Sequence, residues 1–132
     1  MIKRLLEARV IESLSTFPVV GLIGSRHPIA GPSWEGFVLE QVLAASPPEW
    51  QAQFFRTQAG AEIDLVLVPP KGRPIAVEAK YSLSPKPERG FWTAFSDLKC
   101  RAGFVVYPGR DSYPIHEQVR TLPIQRIEEI FE

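Results

Sequence analysis

The sequence predicts an α/β domain built on one central sheet, with its elements in the order α-β-β-β-α-β. Three observations lead there. A stretch with apolar residues at helical spacing is fenced by proline at both ends, at Pro32 and at Pro47-Pro48. Three β-like runs then follow in succession, separated by turn-forming residues. Beyond them a second helical stretch leads into one more short apolar run, AGFVVYP. With 132 residues, 45% of them hydrophobic and 23% charged, the chain has the length and composition of a single globular domain able to bury a real core.

Residues 2–14 (IKRLLEARVIESL) have apolar side chains at helical spacing, and FPVVGLIGSRH follows as a short β-like run. Residues 1–30 are therefore expected to form an N-terminal helix and strand, ahead of the main domain at 31–132. Pro32 and Ser33 can start the next helix. On its wheel Trp34, Phe37, Val38, Leu39, Val42 and Ala45 make the apolar arc; Glu35 falls inside that arc and should point inward, while Glu40 lies opposite. QFFRTQ, EIDLVLV and PIAVEAKYS are the three strands, the last two joined by Pro69-Pro70-Lys71-Gly72-Arg73-Pro74. PKPERGFWTAFSDLK is expected to be helical from about Glu88, AGFVVYP is a buried strand, and IHEQVRTLPIQRIEEIF closes with mixed character.

Composition removes several classes of function. No apolar run approaches twenty residues, and no basic start is followed by an apolar stretch and a cleavage site, so neither a membrane span nor a signal peptide is expected and the cytoplasm is the expected compartment. The single cysteine, Cys100, has no partner for an internal disulfide or a zinc cluster and is expected as a buried or half-buried thiol. Fifteen basic residues balance fifteen acidic ones, so net charge gives no push toward nucleic acid, although residues 71–101 are locally richer in Lys and Arg than in acids. His27 and His116 lack the spacing of metal ligands, and the serines lack a nucleophile elbow. Trp34, Trp50 and Trp92 are expected in the core, with stacking on a nucleobase as the alternative.

The chemistry sits in the second and third strands. Side chains alternate across a strand, so Ile63, Leu65 and Leu67 should share one face and Asp64 the other. In the next strand Ile75, Val77, Ala79 and Tyr81 share a face, and Glu78 and Lys80 take the opposite one. A turn centred near Lys71 sets position 64 against position 78, which gathers Asp64, Glu78 and Lys80 on one patch with Glu35 available from the covering helix. Two carboxylates that close repel, and one must hold a proton unless a divalent cation lies between them. Mg²⁺ prefers hard oxygen ligands, keeps several waters and acidifies one of them, while a neighbouring lysine can hold or deprotonate the attacking water and offset phosphate charge. That layout suits phosphodiester hydrolysis. A buried ion-pair cluster, with Lys80 bridging the two acids, is the structural alternative.

Asp64 followed by Glu78-Ala79-Lys80 at the end of an apolar strand resembles the D…(D/E)-x-K signature of the restriction-endonuclease-like nuclease superfamily. More of the chain, GPSWEGFVLEQV, FFRTQAGAEIDLVLV and RPIAVEAKYS, resembles a domain-of-unknown-function family that forms the C-terminal half of many bacterial AAA-type ATPases. This resemblance covers roughly residues 31–110. It implies a restriction-endonuclease-like core, a mixed central sheet flanked by helices. The start, FPVVGLIGSRHPIAG, is similar to the opening strand of the ATPase half of those proteins, but no G-x-x-x-x-G-K-[ST] follows, so no nucleotide cofactor and no ATPase activity are expected. The chain looks like such a protein with its ATPase middle deleted.

Residue by residue, the resemblance implies Asp64 and Glu78 as ligands of Mg²⁺ or Mn²⁺, Lys80 as the group that orients or activates water, and Glu35 as an auxiliary acid. Arg56 and Glu62 match family positions, and a surface or supporting salt bridge is expected of them. Two functional classes follow: a metal-dependent nuclease acting on DNA or RNA, or an inactive nuclease-fold module that docks a protein or nucleic acid. The apolar strand at 17–24 should pack onto the domain or pair with a second copy, which points to a homodimer.

Overall fold

The computed structural model describes residues 33–132. The expected N-terminal helix and strand over residues 1–30, the strand at 17–24 on which the homodimer expectation rests, and His27 lie outside the described residues.

Ser33 caps the first helix, α1 (Trp34–Ala45), by accepting a hydrogen bond at its hydroxyl from the Gly36 N–H at 3.0 Å. The helix ends at Ser46, whose extended backbone (ψ 133°) is what a residue before proline prefers. Only Val38 and Val42, one turn apart, are buried on it. The broad apolar arc expected from the wheel is thus a narrower stripe, and Phe37 lies outside it, 47% exposed against the Trp34 ring. Glu35 is on the side of that stripe but a turn earlier, and it is exposed rather than pointed into the core.

Strands β1 (Gln51–Arg56), β2 (Glu62–Val68) and β3 (Ile75–Ala79) form an antiparallel meander, each joined to the next by a short connection. Helix α2 (Arg89–Asp97) crosses to β4 (Ala102–Tyr107), which lies parallel to β3. The tail that had mixed character in sequence forms two further strands, β5 (Pro114–His116) and β6 (Val119–Pro123), and a 3₁₀ segment, Ile124–Phe131. Among the described residues the result is one six-stranded mixed sheet in the order β1-β2-β3-β4-β6-β5. Helix α2 ends in a Schellman arrangement: Cys100 N–H donates to the Phe95 carbonyl and Lys99 N–H to that of Ser96, with Lys99 at φ 57°.

Apolar side chains fill both faces of the sheet. Phe91, Ala94 and Phe95 of α2 pack on Ile63, Val66, Ala76, Val105 and Val119. Val38 and Val42 of α1, with Ile127 and Ile130 of the 3₁₀ segment, pack on Leu65, Leu67, Ile75, Val77, Val106 and Leu122. Strict alternation would have put Ile63 with Leu65 and Leu67, but it packs under α2. The cause is a register shift against β1, where Gln53 faces Val66 and Phe55 already faces Ile63. Three steps of β2 span two of β1, so the face presented by β2 slips at Asp64-Leu65. Cys100 is buried, and burial pushes its thiol up to about 12, against a smaller opposing effect of Arg73.

Candidate functional site

The β2–β3 ladder pairs Leu67 with Ile75, Val66 with Ala76 and Leu65 with Val77, and just beyond it hydrogen bonds bring Asp64 and Glu78 together. There the two acids bond across the strands to backbone rather than to each other. Ala79 N–H donates to Asp64 Oδ2 at 2.9 Å, and Asp64 N–H donates to Glu78 Oε1 at 3.3 Å. Each carboxylate is thereby oriented through one oxygen by the opposing strand's amide. Lys80 follows at the end of β3, its own N–H held by the Val106 carbonyl of β4 at 3.0 Å. Its Nζ is 4.0 Å from Glu78 Oε2 and 3.5 Å from Glu88 Oε2.

These groups line a cleft of about 270 Å³ together with Glu35 from α1, Gly60, Glu62, Glu88 and the first turn of α2 at Gly90 and Phe91. The cleft therefore lies beyond the carboxyl end of β3, which is where open α/β sheets place their ligands. All four residues singled out from sequence, Glu35, Asp64, Glu78 and Lys80, border it. Glu88 was not foreseen; the only sequence sign of it was its place just before a helix. Gly90 was not foreseen either. A Cβ there would lie 2.2 Å from the Gly60 carbonyl oxygen, so glycine is what lets α2 close against the β1–β2 turn. Gly60 itself has φ +103°, which suits glycine in that turn. Arg56 and Glu62 form the expected salt bridge at 2.9 Å, with both side chains about half exposed.

Among the described residues the cleft is short of positive charge. Glu78 is buried, at 7% exposure, while Asp64 keeps part of its surface toward the cleft. Burial pushes the Asp64 carboxyl well above its ordinary value, and the charges of Glu78 and Glu35 push it further. Burial likewise pushes Glu78 up to about 7, against the opposing pull of the Asp64 amide and of Lys80. A divalent cation would reverse this conflict. Among the described residues no three acidic, histidine or cysteine side chains converge as a ligand set. Mg²⁺ asks for less than that, since one or two carboxylates suffice while the ion keeps its waters. The Asp64–Glu78 pair fits such an ion. His116, exposed on β5, lies against the Trp92 ring and takes no part in the cleft.

A family model described as "Domain of unknown function (DUF4143)" matches residues 30–127. The chain belongs to the DUF4143 family. Uncharacterized proteins of Mycobacterium tuberculosis (strain ATCC 25618 / H37Rv) and Mycobacterium bovis (strain ATCC BAA-935 / AF2122/97) are similar to it, each 39% identical over 102 residues, which is 77% of this chain. The DUF4143 chain spans 23% of the length of these curated relatives. No solved structure matches it significantly. Among the described residues, no helix is long and apolar enough to cross a membrane.

Proposed function

We propose that this DUF4143 domain has a restriction-endonuclease-like core whose cleft is a divalent-metal-dependent phosphodiesterase site of nuclease type, acting on DNA or RNA. The observation behind it is the pair of acids fixed side by side by reciprocal amide bonds, with Lys80 at their rim. A pair of enclosed carboxylates that repel each other disfavours the folded state unless a cation or a proton separates them. Asp64 and Glu78 would hold Mg²⁺ or Mn²⁺ through the oxygens that no amide engages. The ion, when bound, would supply an acidified water and charge neutralisation at phosphate. Lys80 holds the attacking water and the phosphate oxygens with its ammonium, and Glu88 steadies that ammonium from the other side. Glu35, exposed at the cleft mouth, is placed to act as an auxiliary acid or as a further outer ligand.

A second reading, an inactive nuclease-fold module that docks a protein or nucleic acid, is favoured by one observation. Among the described residues five carboxylates, of Glu35, Glu62, Asp64, Glu78 and Glu88, line the cleft against the one ammonium of Lys80. Without a cation such a cleft repels a polyanion, which supports the inactive reading with a protein, rather than nucleic acid, as the docked partner. Incubating plasmid, single-stranded DNA and RNA with Mg²⁺, Mn²⁺ or chelator separates the two readings. Metal-dependent cleavage is expected from the wild type, lost together with metal binding in Asp64→Asn and Glu78→Gln. Lys80→Ala is expected to bind metal but cleave about 10²–10⁴-fold more slowly, as is typical when a positioned acid/base group is removed. A folded wild type that cleaves nothing and shows no metal-dependent shift in melting leaves the docking module.

A further inference from the structure

Lys80 stands between two acids of unlike kind. Its Nζ is 4.0 Å from Glu78 Oε2 and 3.5 Å from Glu88 Oε2. Neither distance reaches the roughly 2.7–2.9 Å of a closed ammonium–carboxylate hydrogen bond, so the ammonium is shared rather than committed. Glu78 is buried and its other oxygen already accepts the Asp64 N–H, whereas the Glu88 side chain is 78% exposed. Glu88 holds the N-cap position of α2 yet makes no side-chain bond to the helix. An N-cap side chain ordinarily accepts from the first turn of its own helix; here the carboxylate is left for the lysine. The Lys80 N–H is held by the Val106 carbonyl at 3.0 Å, so passage from one acid to the other needs only its flexible four-carbon stem.

We propose that the Lys80 ammonium and a divalent cation compete for Glu78, and that Glu88 is the positioning residue that receives the lysine when the cation is bound. The proposal rests on the metal-site reading of the cleft and describes how that site is regulated. Among the described residues Lys80 carries the one ammonium that borders the cleft, against five carboxylates. Glu78 Oε2, the Glu78 oxygen facing that ammonium, is the one no amide engages, and so the one left for a cation. Two cations cannot crowd onto one carboxylate oxygen, because like charges a few ångströms apart repel, most of all away from bulk water. The lysine therefore gives way as the cation enters, and Glu88 is the acid within its reach that keeps it beside the cleft. Held there, the ammonium stays at hand for a phosphate oxygen. Such coupling is reciprocal: the lysine weakens the cation's hold on Glu78 by the same factor as the cation weakens the lysine's.

Calorimetric titration of Mg²⁺ and Mn²⁺ into the full chain tests this on wild type, Lys80→Met, Glu88→Gln and the double variant. Both side chains reach solvent, and melting in chelator checks that each variant is folded, with Lys80→Gln as the substitute should Lys80→Met fail to fold. Lys80→Met is expected to bind metal about 5- to 150-fold more tightly, the usual range of coupling between sites, and Glu88→Gln more weakly. Removing a negative charge near a cation weakens binding by itself, so the double variant decides. If Glu88 acts through the lysine, Glu88→Gln changes metal affinity little once Lys80→Met is in place. Lys80→Met binding metal no more tightly than wild type overturns the exchange. So does Glu88→Gln that leaves affinity unchanged, or that weakens it as much with Lys80→Met as without. The two readings fail separately. Metal-dependent cleavage by wild type, with additive variants, keeps the nuclease and removes the exchange; metal binding that emerges only in Lys80→Met, with no cleavage by wild type, does the reverse. No metal binding by any of the four proteins overturns both.

Discussion

Glu78 is the side chain on which stability and function pull against each other. In an unfolded chain its carboxyl titrates at the ordinary 4.5, whereas in the fold burial raises it to about 7. Between those values the folded state holds a proton that the unfolded state has released, so stability falls as pH rises from about 4.5 through about 7 and the penalty is complete above that. At about 1.4 kcal/mol per unit the cost is on the order of 3–4 kcal/mol. In chelator, wild type is therefore expected to be less stable to urea at pH 8 than at pH 5. Glu78→Gln, which keeps an oxygen for the Asp64 amide, should weaken that dependence, leaving the part due to the buried Asp64 carboxyl, and gain most at pH 8. Added Mg²⁺ should stabilise wild type chiefly at the higher pH and leave the variant unmoved. A wild type with equal stability at both pH values would show that the carboxyl is not perturbed.

At the next level up, what the sequence reveals depends on whether one local pattern settles an element. Helix α1 was legible because Ser33 and Pro47 bound it, and α2 because its start after Glu88 and its apolar spacing agree. The pairing of Asp64 with Glu78 was legible because the turn between β2 and β3 centres on Lys71, which fixes the register. Ile63 was not, since a slip against β1 belongs to the pairing and leaves no mark in β2 itself. Strand β6 was hidden by its five-residue length and by Thr121, a fully buried hydroxyl that reads as polar. Only tertiary partners explain that residue: its hydroxyl donates to the Asp111 carbonyl and accepts from the Tyr113 N–H, each at 3.0 Å. The docking of α2 was equally unreadable, because it hinges on one glycine meeting another chain segment. Gly90→Ala should force the helix off the Gly60 carbonyl and cost about 1–3 kcal/mol, the usual range for overpacking. Thermal melting checks this, and cleavage should fall as well if the first turn of α2 walls the cleft. An alanine variant with unchanged melting would mean that the turn at Gly60 gives way freely.

For the molecule as a whole, β3 is where the antiparallel meander of β1 to β3 meets the parallel pairing of β3, β4 and β6. It pairs with β2 through a short turn and with β4 only after the chain has passed through α2. The α/β class and a sheet containing β1 to β4 could be foreseen from the order of patterns, but the strand order could not, because parallel neighbours leave no local signature. The meander and the parallel pairing also hold different parts of the site. Asp64 and Glu78 face each other through the β2–β3 hairpin alone, while Lys80 hangs from the Val106 carbonyl of β4. A chain that has formed only the hairpin thus owns the acids without the ammonium of Lys80 held beside them. Closing the long β3–β4 connection costs loop entropy before any contact repays it, so that pairing should come late in folding and be lost only with the whole sheet. In native-state hydrogen exchange the Lys80 amide is then expected to open with the same free energy and urea dependence as the amides of central β4, whereas exchange through a smaller opening would mean that the lysine can swing away while the acids stay in place.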